Sequence, residues 1–446
     1  MKIRRTVGID LGTTNSCVGV MNETQSQVIL FETEAGSSTT PSCVWFDERS
    51  NEVVVGSDAY MRRGSLPAPV VSVKRSMGKL VLIPLGKAGK VPGNVPSRVK
   101  RALSETREDR LQRYLSRLEA ANPEELEAVR QKKRAEPPVM WVMDQARRLQ
   151  IYLDGLDDPR ARADAQKDPP LLWLPEEISA LILAEERRQI LARQRQLEPE
   201  NTHVVDRCLI TVPAYFGAEQ IEATKEAGTL AGLVVMDLLQ EPSAAAVYYC
   251  WKSGIQNGLF LVFDLGGGTF DVSVLRRQTG WSGVLGISGD NLLGGDDFDR
   301  VLAEHIRLTI LRNNPRCDLN LDMERVEDRR IWDTLVFMAE GVKKALSREP
   351  AYLLRDTNLC DRRGGRLNID MKITRAQFEG LISPLIDKCI PKCWEAIGKA
   401  KLKAGVSLAE VDQIFLVGGA THVPSVQREV RRRLCGGEEV PYSEAE

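Results

Sequence analysis

Histidine is nearly missing from this chain: its 446 residues include three, His203, His305 and His422. So few, spread so widely, leave no basis for a Ser-His-Asp nucleophilic centre or a histidine-rich zinc site. Cysteine occurs nine times, an odd number with no CxxC pair. That argues against a disulfide framework and fits a reduced, cytoplasmic protein. Cys389 and Cys393 stand one helical turn apart without a neighbouring histidine or a second pair, and read as buried helix residues. Neither sign of charge is in surplus: 61 Lys and Arg face 62 Asp and Glu, for a net charge of −1. Nothing there calls for nucleic acid or an acidic membrane surface as a partner. The longest strongly apolar stretch, around 178–184, is far too short to span a bilayer. The opening MKIRRTVGID reaches Asp10 before any signal-peptide core can form. Carboxylates, lysine and backbone are left to carry whatever chemistry there is.

What the chain does have is one glycine-rich phrase used twice. Residues 7–20 read VGIDLGTTNSCVGV and residues 261–275 read LVFDLGGGTFDVSVL. Each is an apolar run, then Asp-Leu-Gly, then small or hydroxyl residues, then a second apolar run, the pattern of a β-hairpin with a tight turn. Asp10 and Asp264 end the first strand of each hairpin. Glycine lets a turn backbone approach a ligand closely. Two such turns, each with a carboxylate and free N–H groups, suit a polyphosphate and its magnesium ion.

Residues 1–80 alternate short apolar runs with turns, a mostly β start to an α/β domain. The Gly- and Pro-rich 81–97 reads as a loop, and from Arg98 to Arg134 mixed charge dominates. Asn122-Pro123-Glu124-Glu125 is a good helix start and Pro137-Pro138 a stop. Val139, Val142, Met143, Ala146, Leu149 and Leu153 then recur at helical spacing. The whole region reads as a solvated helical insertion, with a partner-docking surface as the alternative. Further helices are expected at 176–196, 218–232, from Glu241, at 326–348 and at 375–404, with strands at 207–212 and 233–239 and short strands within 351–374. Leu416–Thr421 ends a last strand in a Gly-Gly turn that leads into a helix, a common nucleotide cradle. Strands alternating with helices make this an α/β chain, long enough for more than one domain.

DLGTTNSCVGV, ITVPAYF, EPSAAAVYY, FDLGGGTFDVSVL, NLLGGDDFD and LVGGATHVPSVQ together resemble, in order, the motifs of the DnaK-type heat-shock chaperone ATPase domain. The likeness spans most of the chain except roughly 80–170. It implies a two-lobed actin-like (ribonuclease H-like) ATPase fold with a central ATP cleft. Lobe I would cover 1–258, its core 1–40 and 171–258, with an outer subdomain and helical insertion at 41–170. Lobe II would cover 259–446, its core 259–295 and 375–440, with an outer subdomain at 296–374. By the same resemblance Asp10 and Asp264 hold magnesium largely through water. Lys74 reaches the γ-phosphate, and Glu241, Asp264, Asp271 and Thr269 order magnesium and the attacking water. Gly12, Thr13, Thr14, Gly266, Gly267 and Gly268 wrap the phosphates. Glu340, Lys343 and Ser347 meet ribose and adenine, and Gly418 and Gly419 pass close to the adenosine. ATP or ADP and Mg²⁺ are the implied cofactors, and a J-domain protein and a nucleotide exchange factor the implied partners.

Three departures from the family pattern stand out. The stretch between Lys74 and Pro175 is long and unlike the usual outer subdomain. Lys344 and His422 fall where many relatives stack two arginines on adenine. The sequence stops after Pro441-Tyr442-Ser443-Glu444-Ala445-Glu446, at the threshold of a closing helix, so the peptide-binding domain is expected to be absent and apolar surface on lobe I uncovered. The expected activity is slow, magnesium-dependent ATP hydrolysis in an incomplete chaperone. The alternative is a nucleotide-dependent interaction module with little hydrolysis that docks a partner through 98–168.

Overall fold

The computed structural model describes the chain apart from residues 1, 22–26, 34–35, 64–66, 107, 111, 113–142, 198–201, 279–280, 324, 436–441 and 444–446. Both Asp-Leu-Gly phrases are hairpins. In the first, Lys2–Asp10 pairs antiparallel with Asn15–Met21. In the second, Gly258–Leu265 pairs antiparallel with Phe270–Gln278. Each lies in its own sheet, and the first strand of each also has a parallel neighbour. Thr202–Val212 runs beside Lys2–Asp10, and Gln413–Val417 beside Gly258–Leu265. The first sheet continues outward through Val234–Gln240, and the second through Trp281–Asp290. Two hydrophobic cores go with them, one within residues 7–233 and one within residues 259–435.

Local chemistry explains the helices that cover these sheets. Pro175–Leu197 starts with proline and carries Glu176 and Glu177 in its first turn, where acidic side chains favour the helix dipole. Arg375–Ala404 is capped reciprocally: the Gln377 N–H donates to Thr374 Oγ1 at 3.2 Å, and the Thr374 N–H donates to Gln377 Oε1 at 2.9 Å. It stops at Gly405, whose φ of 70° suits glycine. Cys389 and Cys393 face the second core on this helix, fully buried as expected. No helix among the described residues is long and apolar enough to cross a membrane.

Two expectations need correcting. Residues 81–97 are not all loop, because Ile83–Lys87 pairs antiparallel with Pro170–Trp173. The ladder tolerates Pro84 and Gly86 because its register shifts between Pro84 and Lys87, and Gly86, at φ 86°, packs on the Phe46 ring. Nor is the described part of the insertion simply solvated. Helix Ser97–Ser104 buries Val99, Ala102 and Leu103 in the first core. Arg148, on helix Gln145–Asp154, is fully buried. It grips Glu177 with two donors, at 2.6 and 2.8 Å, and donates to the Leu172 carbonyl at 2.8 Å. Arg110 adds a third contact to Glu177 at 3.2 Å. Sequence alone reads these charges as solvated because their partner lies tens of residues away. The helix start at Asn122 and the stop at Pro137-Pro138 lie outside the described residues.

At the far end, Tyr442–Ser443 runs as a short strand beside Ile414–Phe415 rather than beginning a helix. Leu209, Val234, Met236 and Leu239 are exposed on the neighbouring strands Thr202–Val212 and Val234–Gln240.

Burial raises the Glu177 pKa, but Arg148 and then Arg110 overcome it and hold the carboxyl down at about 2, against an ordinary 4.5. A carboxylate depressed in the folded state stabilises fully above its ordinary pKa and loses that contribution as pH falls through the folded value. Arg148→Met, which strips Glu177 of its main partner, should cost about 3–5 kcal/mol in urea unfolding at neutral pH. The deficit of Glu177→Gln against the parent should shrink as pH is lowered from about 4.5 towards 2. A deficit independent of pH would show that Glu177 is not held ionised.

Candidate functional site

The two hairpin turns meet tip to tip. A Cβ on Gly267 would lie 1.7 Å from Thr14 Oγ1, and one on Gly268 would lie 2.3 Å from Thr13 Cγ2. Gly12 is equally constrained, since its Cβ would fall 1.9 Å from the Asn15 carbonyl oxygen. The second turn is closed by the Gly266 N–H donating to the Thr269 carbonyl at 3.0 Å. Its own carbonyls cap helix Gly295–Asn313: the Gly295 N–H donates to Gly266 O at 2.9 Å, and the Asp296 N–H to Gly267 O at 2.7 Å. In a trans peptide the N–H points opposite to the preceding C=O. The Gly267 and Gly268 amides are therefore turned away from that helix.

Beside these turns lies a crowd of carboxylates. Thr211, on the strand parallel to the first hairpin, donates to Asp10 Oδ1 at 2.8 Å. Asp264 and Asp271 stand directly opposite in the second hairpin's ladder, on one face of the ribbon. Glu241 opens helix Glu241–Ser253. Its Oε1 lies 2.5 Å from Nζ of buried Lys74, which sits on the 3₁₀ turn Val73–Ser76. Ser72, just before, takes φ 54°, the left-handed region that costs a non-glycine residue strain, and such strain gathers at functional sites.

Electrostatics follow from this crowding. Burial opposes the charge on Lys74, but Glu241, Asp10 and Asp264 outweigh it and hold the pKa above the ordinary lysine value. Burial, then Glu241 and Asp10, push Asp264 up to about 8. Asp271 is raised well above the ordinary value by burial, Glu241 and Asp264. Neither Asp271 oxygen has a hydrogen bond of ordinary geometry, and neither does the buried Tyr215 hydroxyl nearby. Among the described residues no three acidic, histidine or cysteine side chains converge closely enough to cage a metal directly. Magnesium fits such a site in the manner it prefers, mostly through its waters and a phosphate. The orphaned Asp271 oxygens and the glycine cradle fit the same group.

The residues assigned to the adenosine side lie across the cleft on helix Val326–Arg348 and beyond. Glu340 accepts hydrogen bonds from Tyr60, from Arg63 at 2.8 Å and from Lys344 at 2.9 Å. Lys343 pairs with Asp299 at 2.6 Å and donates to the Gly295 carbonyl at 3.0 Å. Ser347 bonds back to the Lys343 carbonyl at 3.0 Å. Gly418, at φ 88°, has room for no Cβ, which would lie 2.7 Å from Asp264 Oδ1, and Gly419 begins the next turn. His422 is exposed at the end of that turn.

Sequence reasoning missed the contacts that join residues 14 and 72–75 to the start of helix Gly295–Asn313. Ser72 donates to Asp296 Oδ2 at 2.8 Å, and Arg75 reaches Asp297 at 3.1 Å. Thr14 touches Asp296 at 3.4 Å. The signal for Arg75 was its place beside Lys74. The acidic pair lay inside the quoted NLLGGDDFD motif.

The folded state keeps a proton on Asp264 that the unfolded chain releases near 3.8. Stability in chelator should therefore fall as pH rises from about 4 to 8, since the folded state binds more protons throughout that window. Thermal melts of the parent and of Asp264→Asn across that range check it, and equal slopes in both proteins would contradict it.

The Hsp70 family description "Hsp70 protein" matches residues 6–116 and 142–438 of this chain. The match takes in both hairpins, Lys74, Glu241 and the helix that carries Glu340. Family members are nucleotide-binding chaperone ATPases with the actin-like two-lobed fold, and they bind ATP or ADP with Mg²⁺. This chain belongs to the Hsp70 family.

Proposed function

We propose that this chain is a DnaK-type, magnesium-dependent and slow ATPase whose reaction is centred on Lys74. The observation that carries this is the Lys74–Glu241 pair at 2.5 Å, set among Asp10, Asp264 and Asp271 where two glycine turns meet. Phosphoryl transfer asks mainly for positioning and for neutralised charge. Lys74, kept cationic by its neighbours, is the donor for the γ-phosphate oxygens. Glu241, Asp271 and Thr269 hold the attacking water and accept its hydrogen bonds. Thr13, Thr14 and the amides of Gly267 and Gly268 take the remaining phosphate oxygens. Asp10 and Asp264 would hold magnesium, which when bound offsets the charge of the phosphates.

Glu340, Lys343 and Ser347 would take the ribose and adenine once Tyr60 and Arg63 give way, with Gly418 and Gly419 beside the base. We place the division between lobes at 258/259: the two largest hydrophobic cores fall on either side of it, and a smaller one packs Ala246 and Cys250 against Phe260 and Phe415 across it. A J-domain protein, an exchange factor and a cytoplasmic setting belong to the same proposal. The alternative, a nucleotide-gated interaction module, differs in predicting binding without phosphate release. Deleting 98–168 does not separate the two, because it removes Arg110 and Arg148 from buried Glu177.

Calorimetry of MgATP binding, with phosphate release followed in the same sample, tests the proposal. Asp10→Ala and Lys74→Ala should each slow release by roughly 10²–10³-fold. Unchanged release in both would reject the assignments. Tight binding with no release by the parent would favour the interaction module.

A further inference from the structure

Behind the first turn, Ser42 makes a compact set of hydrogen bonds from a site only 2% exposed. Its Oγ donates to the Gly12 carbonyl at 2.8 Å. With that proton used, it accepts from Ser16 Oγ at 2.9 Å. Its backbone N–H donates to the Thr14 carbonyl at 2.8 Å. One residue therefore holds two carbonyls of the turn, one with its side chain and one with its backbone.

Ser42 is itself anchored in the first core. It follows Thr40–Pro41, which pairs antiparallel with Asn15–Ser16. Thr40 Oγ1 donates to Gln189 Oε1 at 3.3 Å on helix Pro175–Leu197. The anchor matters because the turn cannot fix itself: the space that a side chain at Gly12 would need is filled by the Asn15 carbonyl.

Carbonyl and following N–H point opposite ways in a trans peptide. Holding Gly12 O towards Ser42 turns the Thr13 N–H away from it, and holding Thr14 O does the same for the Asn15 N–H. Thr13 is buried, yet among the described residues its N–H donates to no one. Buried backbone donors are nearly always satisfied, so an idle one at a glycine turn points to a ligand acceptor.

We propose that Ser42 is a positioning residue for phosphate recognition, clamping the Gly12 and Thr14 carbonyls so that the amides of Thr13 and Asn15 face a nucleotide's phosphate oxygens. The clamp rests on the nucleotide-binding function proposed above. Its effect is confined to ligands that carry phosphate, which a general loss of packing would not be.

Calorimetry with MgADP and with adenosine, on the parent, Ser42→Ala and Ser42→Thr, separates these cases. Ser42→Ala should bind MgADP roughly tenfold more weakly and adenosine unchanged. Ser42→Thr, which keeps the hydroxyl, should recover most of the loss. In the parent, hydrogen exchange at the Thr13 amide should slow with MgADP and not with adenosine, a measurement that holds even where Ser42→Ala folds poorly. Equal affinities in Ser42→Ala and parent, equal losses for both ligands, or no phosphate-dependent protection at Thr13 would each overturn the clamp. A folded parent that binds no MgADP would instead remove the nucleotide-binding function, and the clamp with it.

Discussion

One buried lysine shares its surroundings with four carboxylates, Asp10, Glu241, Asp264 and Asp271, and their mutual repulsion governs the rest of the site. Like charges about 4 Å apart in a partly buried setting repel by roughly 4 kcal/mol at an effective dielectric of 20. Lys74 neutralises one such charge directly through Glu241. Burial first, and then the remaining repulsion, favours protons on Asp264 and Asp271, and the Thr211 hydroxyl donates to Asp10. A divalent cation that arrives with its own anion resolves the same conflict without protons. Strand ends from both sheets have to converge for such crowding to arise at all. The glycines at the two tips allow that convergence, since alanine at 267 or 268 would collide with Thr14 or Thr13.

Helix Pro175–Leu197 meets a buried carboxylate in the opposite way. Glu177 receives two donors from Arg148 and one from Arg110, and its charge is fully matched. Neighbouring Glu176 is not so served, and burial pushes it up to about 7. A satisfied buried ion pair holds a unique arrangement, whereas an unsatisfied cluster waits for a ligand. The ion pair lies within residues 110–177 and the cluster spans both hairpins, separating what supports the site from what the site uses.

Features set by short-range pattern were legible from the sequence. The hairpins followed from alternation around Asp-Leu-Gly, and the helix at 375–404 was recognised despite Pro384 and Pro391. Most core carboxylates were also found, because they sit inside motifs at strand ends. What escaped depends on distant partners. Ile83–Lys87 finds its ladder partner more than eighty residues away, and its Gly-Pro composition hides it. Glu340 does lie on a helix, Val326–Arg348, but nothing near it in sequence announces Tyr60 or Arg63. Buried arginines look like solvated ones until the fold brings an acid to them.

The capping of helix Gly295–Asn313 by the second turn has a mechanical side. With the Gly266 and Gly267 carbonyls bonded to its first amides, turn and helix form one stiff piece. Its 19 residues make a rod about 28 Å long at 1.5 Å per residue. A tilt of about 5° at the turn carries the far end by roughly 2.5 Å over that length. A change too small to alter the local bonding becomes, at the other end of the lever, a displacement the size of a methyl group or more.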